Sequence, residues 1–280
     1  TQKGRCYWLK VYDIPEGAKN AKGRAIQNLL NIESDDTVNA FIRVKGLEDK
    51  DFVTSHNLIF CTKNGIIKKT SLEAYSRPRA NGVNAIIIRE DDQLIQVELT
   101  DGNSEIILAN RNGRAIRFHE SKVREMGRVS TGVRGMTLDD DNDCIVGMIC
   151  MNENTENNVM VISEKGYGKR SLLEDYRITN RGGKGVKTIN ITDKTGSLVA
   201  IKSVTDENDL VIINKSGITL RLNVADIRVM GRATQGVKLI NLEKRNDDIA
   251  SVCCVNSEPE NEIDENQEDK NSEEIISTEN

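Results

Sequence analysis

A glycine-marked unit recurs five times along the chain and leaves few folds open to it. Gly4, Gly65, Gly113, Gly166 and Gly217 each end a short polar turn, and a second glycine follows at Gly23, Gly82, Gly132, Gly185 and Gly236. The gap within a unit is 19 residues in four cases and 17 in the second, and successive first glycines lie 61, 48, 53 and 51 residues apart. That period fits a propeller blade better than a helical solenoid. Agreement extends past glycine: Met126-Gly127-Arg128 precedes Gly132-Val133-Arg134 at the same spacing as Met230-Gly231-Arg232 precedes Gly236-Val237-Lys238.

Each full unit reads as four short strands. In the third, Leu94 to Leu99 alternates apolar with polar residues, Glu105 to Ala109 is an apolar run, Arg114 to Phe118 alternates again, and Val133 to Leu138 closes the set. Asn110-Arg111-Asn112-Gly113 joins the second strand to the third, with counterparts ending at Gly65, Gly166 and Gly217. A glycine at the end of such a loop supplies the left-handed backbone a tight hairpin needs. These glycines therefore build hairpins and are not a phosphate-binding loop. The expected fold is all-β.

Other chemistries find little support. There is no apolar run near 20 residues and no charged-then-apolar leader, which excludes a membrane span and a secretory signal on this chain. Six cysteines form no C-x-x-C pair, and the two histidines, His56 and His119, stand far apart, so neither a structural metal nor a nucleophilic site is expected. The thiols sit mostly in apolar strands, as small hydrophobes of a reducing compartment do.

Charge is unevenly spread. The chain carries −5 in total, but ten acids against Lys270 give Ser257 to Asn280 a net −9, leaving the body at +4. A tail of this composition is expected to be disordered. Within the body, acids gather where each unit leaves its fourth strand: Glu33, Asp35 and Asp36; Glu90, Asp91 and Asp92; Asp139, Asp140, Asp141 and Asp143; Asp247 and Asp248. Cations gather after each hairpin and along the loop to the second glycine. They are Arg5, Lys10, Lys19, Lys22 and Arg24; Lys68, Lys69, Arg77 and Arg79; Arg114, Arg117, Lys122, Arg124 and Arg128; Lys169, Arg170, Arg177, Arg181 and Lys184; Arg221, Arg228, Arg232 and Lys238. If the units stack around an axis, these positions form a basic band on the rim. Such a band suits the backbone of duplex DNA, where each neutralised phosphate releases counterions. Aromatics at 4% are too few for base stacking on single strands, and no recognition helix or zinc finger is present to read a groove.

Four stretches carry a family resemblance: Tyr7-Trp8-Leu9-Lys10-Val11-Tyr12-Asp13-Ile14-Pro15-Glu16, Asn64-Gly65-Ile66-Ile67-Lys68-Lys69-Thr70, Thr131-Gly132-Val133-Arg134-Gly135 and Gly166-Tyr167-Gly168-Lys169-Arg170. Over Thr1 to Val255 the chain resembles the family of C-terminal domains from the A subunit of bacterial DNA gyrase, and the acidic tail is similar too. The resemblance implies a β-pinwheel, a propeller-like disc whose four-stranded blades exchange strands, with about five blades present of a family six. Residues 1–256 would form the disc and 257–280 the tail. It further implies duplex DNA wrapped on the basic rim, so that ATP-driven strand passage introduces negative supercoils. The catalytic tyrosine would lie in a preceding domain and the ATPase in the gyrase B subunit. ATP and magnesium would be used there, with no cofactor in this fragment. The implied setting is a cytoplasmic heterotetramer of A and B subunits; the fragment alone is expected to be monomeric. The family's basic glycine-rich box belongs to its first blade, whereas the best local match, Asn180-Arg181-Gly182-Gly183-Lys184-Gly185, falls in the fourth unit. A related domain of topoisomerase IV and a protein-binding propeller are the competing readings, and an enzyme on a propeller is the weakest.

Overall fold

The computed structural model describes residues 1–18, 20–152, 157–242 and 247–257. The tail assigned to 257–280 lies outside them except for Ser257.

The alternating runs form hairpins as expected: β2 (Asn57–Thr62) with β3 (Ile66–Ser71), β6 (Ser104–Asn110) with β7 (Arg114–His119), β10 (Asn158–Ser163) with β11 (Tyr167–Leu172), and β14 (Asn208–Asn214) with β15 (Thr219–Asn223). Each hairpin gains an inner antiparallel strand, respectively β5 (Leu94–Thr100), β9 (Ile145–Asn152), β13 (Leu198–Val204) and β17 (Ile249–Asn256). The inner strands β5, β9, β13 and β17 pack on one another in that order, so the sheets follow one another as blades of a propeller-like ring. Every residue of β6 is buried, because both faces of its blade are covered by neighbours.

The fourth strand of each blade comes from elsewhere. The short strands β4 (Val83–Asn84), β8 (Val133–Arg134), β12 (Val186–Lys187) and β16 (Val237–Lys238) follow β3, β7, β11 and β15 in the chain. They pair instead with the preceding unit: β4 with β1 (Arg5–Cys6), β8 with β3, β12 with β7 and β16 with β11. This corrects the four-strand unit read from Leu94 to Leu138. Leu94–Thr100 completes the β2–β3 blade, Val133–Arg134 caps that same blade, and the hairpin between them belongs to the next. The final blade, β17-β14-β15, has no outer strand among the described residues.

Glycine holds the exchange together at Gly185. Its φ is +72°, and a Cβ there would lie 2.3 Å from the Ala115 carbonyl oxygen of the receiving strand. Only glycine allows the donated strand to come this close.

The hydrophobic cores lie between blades. Ile59 and Ile67 of one blade meet Ile106, Leu108, Ile116 and Phe118 of the next, while Ile107 and Ala109, on the opposite face of β6, meet Val159 and Val161. Full burial of each such aliphatic contributes about 1.5–3 kcal/mol.

Candidate nucleic-acid interface

Before its short outer strand, each unit runs along the edge of the preceding blade. The backbone fixes this path at one register: Lys69 bridges Glu125, Arg117 bridges Ile178, and Arg170 bridges Val229. Amides just beyond reach back to the same strand, with Met126 to Lys69 O, Thr179 to Arg117 O and Met230 to Arg170 O, each 2.8 Å. Loop and outer strand together make the rim.

On it stand Arg77 and Arg79, Lys122 and Arg124, Arg177 and Lys184, and Arg228 and Lys238, all exposed. Lys10, Lys22 and Arg24 are exposed on the first unit and Arg221 on the last, while Lys19 lies outside the described residues. Arg128, Arg181 and Arg232 occupy one register, four residues before the second glycine, and are half-buried. Arg181 donates to the Lys122 and Arg134 carbonyls at 2.9 and 3.0 Å, and Arg232 to the Lys187 carbonyl at 2.8 Å, so these guanidiniums pin rim loop to outer strand. Arg5 is held by Tyr7, Asn81 and Asn84, and Arg114 pairs with Asp139 at 3.1 Å.

Five cations expected on the rim belong to the interior. Lys68 is fully buried and its Nζ donates to the Ala85 and Arg128 carbonyls, each at 2.6 Å. Lys169 is equally buried and donates to Gly231 O at 2.5 Å. Burial, with Arg128 nearby, pushes the Lys68 ammonium down to about 8, and burial does the same to Lys169. Lys69 reaches Glu120, whose carboxylate also accepts from the Ser104 amide and Thr100. Arg117 pairs with Glu105 and donates to Leu173 O and Tyr176 O at 2.7 and 2.9 Å. Arg170 donates to Ile227 O and Ala225 O and pairs with Asp206. All five lock a blade to the loop of the following unit. Carbonyls that a buried loop would otherwise leave unpaired accept these hydrogen bonds.

The acidic clusters also have a structural office. Asp92 accepts from the Asn64 and Gln93 amides, Asp143 from those of Asn112 and Cys144, and Asp36 from those of Lys3 and Thr37. The link between units thus caps the hairpin turn it passes. Asp139 faces Arg114 and Lys184, which tempers the charge at that point of the rim.

Sequence reasoning missed Arg134 and Lys187. Both are exposed, on β8 and β12, at the register Lys238 holds on β16. The repeated Gly-Val-(Arg or Lys) was the signal. The glycine-rich loop at Arg181–Gly185 borders a cavity of about 300 Å³ lined by Arg117, Arg177, Asn180, Gly183 and Lys184 among others. At the places of Gly182 and Gly183 the neighbouring units carry Val129 and Ser130, or Ala233 and Thr234. Among the described residues no group of three or more metal-ligating side chains occurs, and no helix is long and apolar enough to cross a membrane.

This geometry has known counterparts. The family model for the DNA gyrase C-terminal domain, described as a β-propeller, matches residues 1–45, 56–101, 104–151, 157–205 and 208–256. The A subunit of DNA gyrase from Staphylococcus aureus (strain NCTC 8325 / PS 47) is 43% identical over 270 residues, which is 96% of this chain and 30% of that protein. Its counterpart from strain MRSA252 is 45% identical over 242 residues, 86% of this chain and 27% of that one. The chain therefore spans less than a third of the curated relatives it matches. Among solved structures, the C-terminal domain of DNA topoisomerase IV superposes with a TM-score of 0.81 at 26% identity, over 91% of this chain and 77% of that one. A DNA gyrase A C-terminal domain superposes at 0.76 with 23% identity, over 90% and 80%, which shows the fold. With all five glycine-marked units matched, the chain belongs to the DNA gyrase C-terminal domain family.

Proposed function

We propose that this chain is the DNA-wrapping domain of a DNA gyrase A subunit, bending duplex DNA around the rim so that ATP-dependent strand passage elsewhere in the enzyme introduces negative supercoils. One observation carries the reading: exposed cations recur at fixed registers on successive blades, Arg124, Arg177 and Arg228 on the loops and Arg134, Lys187 and Lys238 on the outer strands. A row spread over several blades suits a wrapped polyanion. Bending a site of 20–30 base pairs by 40–90° already costs about 1–6 kcal/mol, so contacts on one blade alone would be outweighed. The contacts are to phosphates and carry no sequence preference.

On this reading the chain itself does no chemistry, and the catalytic tyrosine, ATP and magnesium belong to other parts of a cytoplasmic assembly of A and B subunits. The acidic tail competes with DNA for the rim, and its deletion tightens binding at low salt. The 43% identity to the A subunit of gyrase favours gyrase over topoisomerase IV, despite the close superposition on the latter's domain.

The test is to bind the chain to nicked circular duplex, reseal with ligase, remove the protein and measure the linking number. A positive shift growing with protein supports wrapping. Binding that is insensitive to salt would favour a protein-binding propeller and sink the proposal.

A further inference from the structure

The rim presents more than charge. One residue beyond Arg177 and Arg228, at the same register on adjacent blades, stand Ile178 and Val229, 57% and 40% exposed. The backbone under each is fixed twice, by the bridge to Arg117 or Arg170 and by the guanidinium of that same arginine, which donates to carbonyls earlier in the loop. A β-branched side chain has few χ1 options, so each is a stiff apolar knob on a stapled loop with an exposed arginine beside it. On the β2–β3 blade this register holds Glu125, next to Arg124.

Building on the DNA-wrapping reading, we propose that Ile178 and Val229 press against the deoxyribose edges of the minor groove where it faces the rim, and that these contacts set how sharply the duplex turns. Phosphate attraction by Arg177 and Arg228 brings the backbone to this strip. Where the duplex curves onto the rim its inward groove narrows and brings the sugar edges onto these side chains, so the apolar contact is made in full only by bent duplex and favours it over straight. Glu125 partly offsets the phosphate attraction of Arg124, so the duplex lies less closely on the β2–β3 blade at this register than on the next two.

The experiment uses the 280-residue chain, the double variant Ile178→Asn/Val229→Asn and the single variant Glu125→Ile, all checked for unchanged thermal unfolding. Each is tested for affinity to a short linear duplex at several salt concentrations and for linking-number shift on ligated circles. For the double variant the expected result is affinity within about twofold of the parent with the same salt slope, but a linking-number shift per bound protein reduced by roughly half. Glu125→Ile should increase the shift. A double variant that wraps as fully as a wrapping parent overturns this inference and leaves the DNA reading standing. Loss of short-duplex affinity in step with the shift also overturns it, since the knobs would then be general contacts. A parent that produces no shift at all overturns both.

Discussion

Arg117 and Arg221 stand at one register, four residues after the first glycine of their units, and each pairs with an acid on the partner strand of its hairpin, Glu105 or Asp209. Their surroundings differ. The side chain of Arg117 is 12% exposed and that of Arg221 47%. The difference is the next unit's loop, which covers Arg117 and offers it the Leu173 and Tyr176 carbonyls, whereas β15 has no such cover among the described residues. A cation on these strands is therefore structural or solvent-facing according to its neighbour along the chain, not according to its own blade.

The contrast can be broken most forcefully at Arg117. Arg117→Ala leaves Glu105 buried without its partner and should cost about 3–5 kcal/mol in chemical denaturation, against about 0–1 kcal/mol for Arg221→Ala. Equal losses would mean that the covering loop does not matter. Next come the glycines. Gly185→Ala meets the Ala115 carbonyl and should lose about 1–3 kcal/mol more than Gly217→Ala, which meets open space and carries only the left-handed backbone penalty.

The buried lysines sharpen the comparison through pH. Because Lys68 and Lys169 are held near 8, below the unfolded value of about 10.4, the unfolded chain binds more protons between those limits. Their contribution to stability therefore rises as pH goes from about 8 to about 10.4. Comparing the parent with Lys68→Met/Lys169→Met isolates this slope from opposing thiols and phenols; a parent slope no steeper than that of the variant would refute it. The smallest expected effect on stability is on the outer strands of the rim. Changing Arg134, Lys187 and Lys238 together to Gln should leave the melting temperature in place while lowering the salt slope of DNA binding by about three, one for each phosphate no longer neutralised. Lys169→Met should leave that slope unchanged.

Much of this is legible in the residues. The glycine period yields the blade count, and alternation yields the hairpins, because both depend on local backbone geometry. Strand exchange is not readable from periodicity, since a repeat says how long a unit is but not which neighbour a strand pairs with; the family resemblance alone implies it. The buried cations do leave a signal. Lys68-Lys69 and Lys169-Arg170 are consecutive within strands, where successive side chains face opposite sides, so one of each pair must turn into a blade interface. The acids mislead for a different reason: along the sequence they look like charge sorted onto a surface, and the structure uses Asp36, Asp92 and Asp143 to cap turns.

Borrowed outer strands also impose an order in time. A blade emerging from the ribosome cannot close its edge until the following unit has been made, roughly 50 residues later, which at typical synthesis rates is about 3–10 s. During that interval the newest blade shows an unpaired strand and an uncovered apolar face, a template for pairing with another nascent chain. Slow translation would prolong this exposure for each blade in turn, so the disc's hazard is one of pace during synthesis as well as of stability once made.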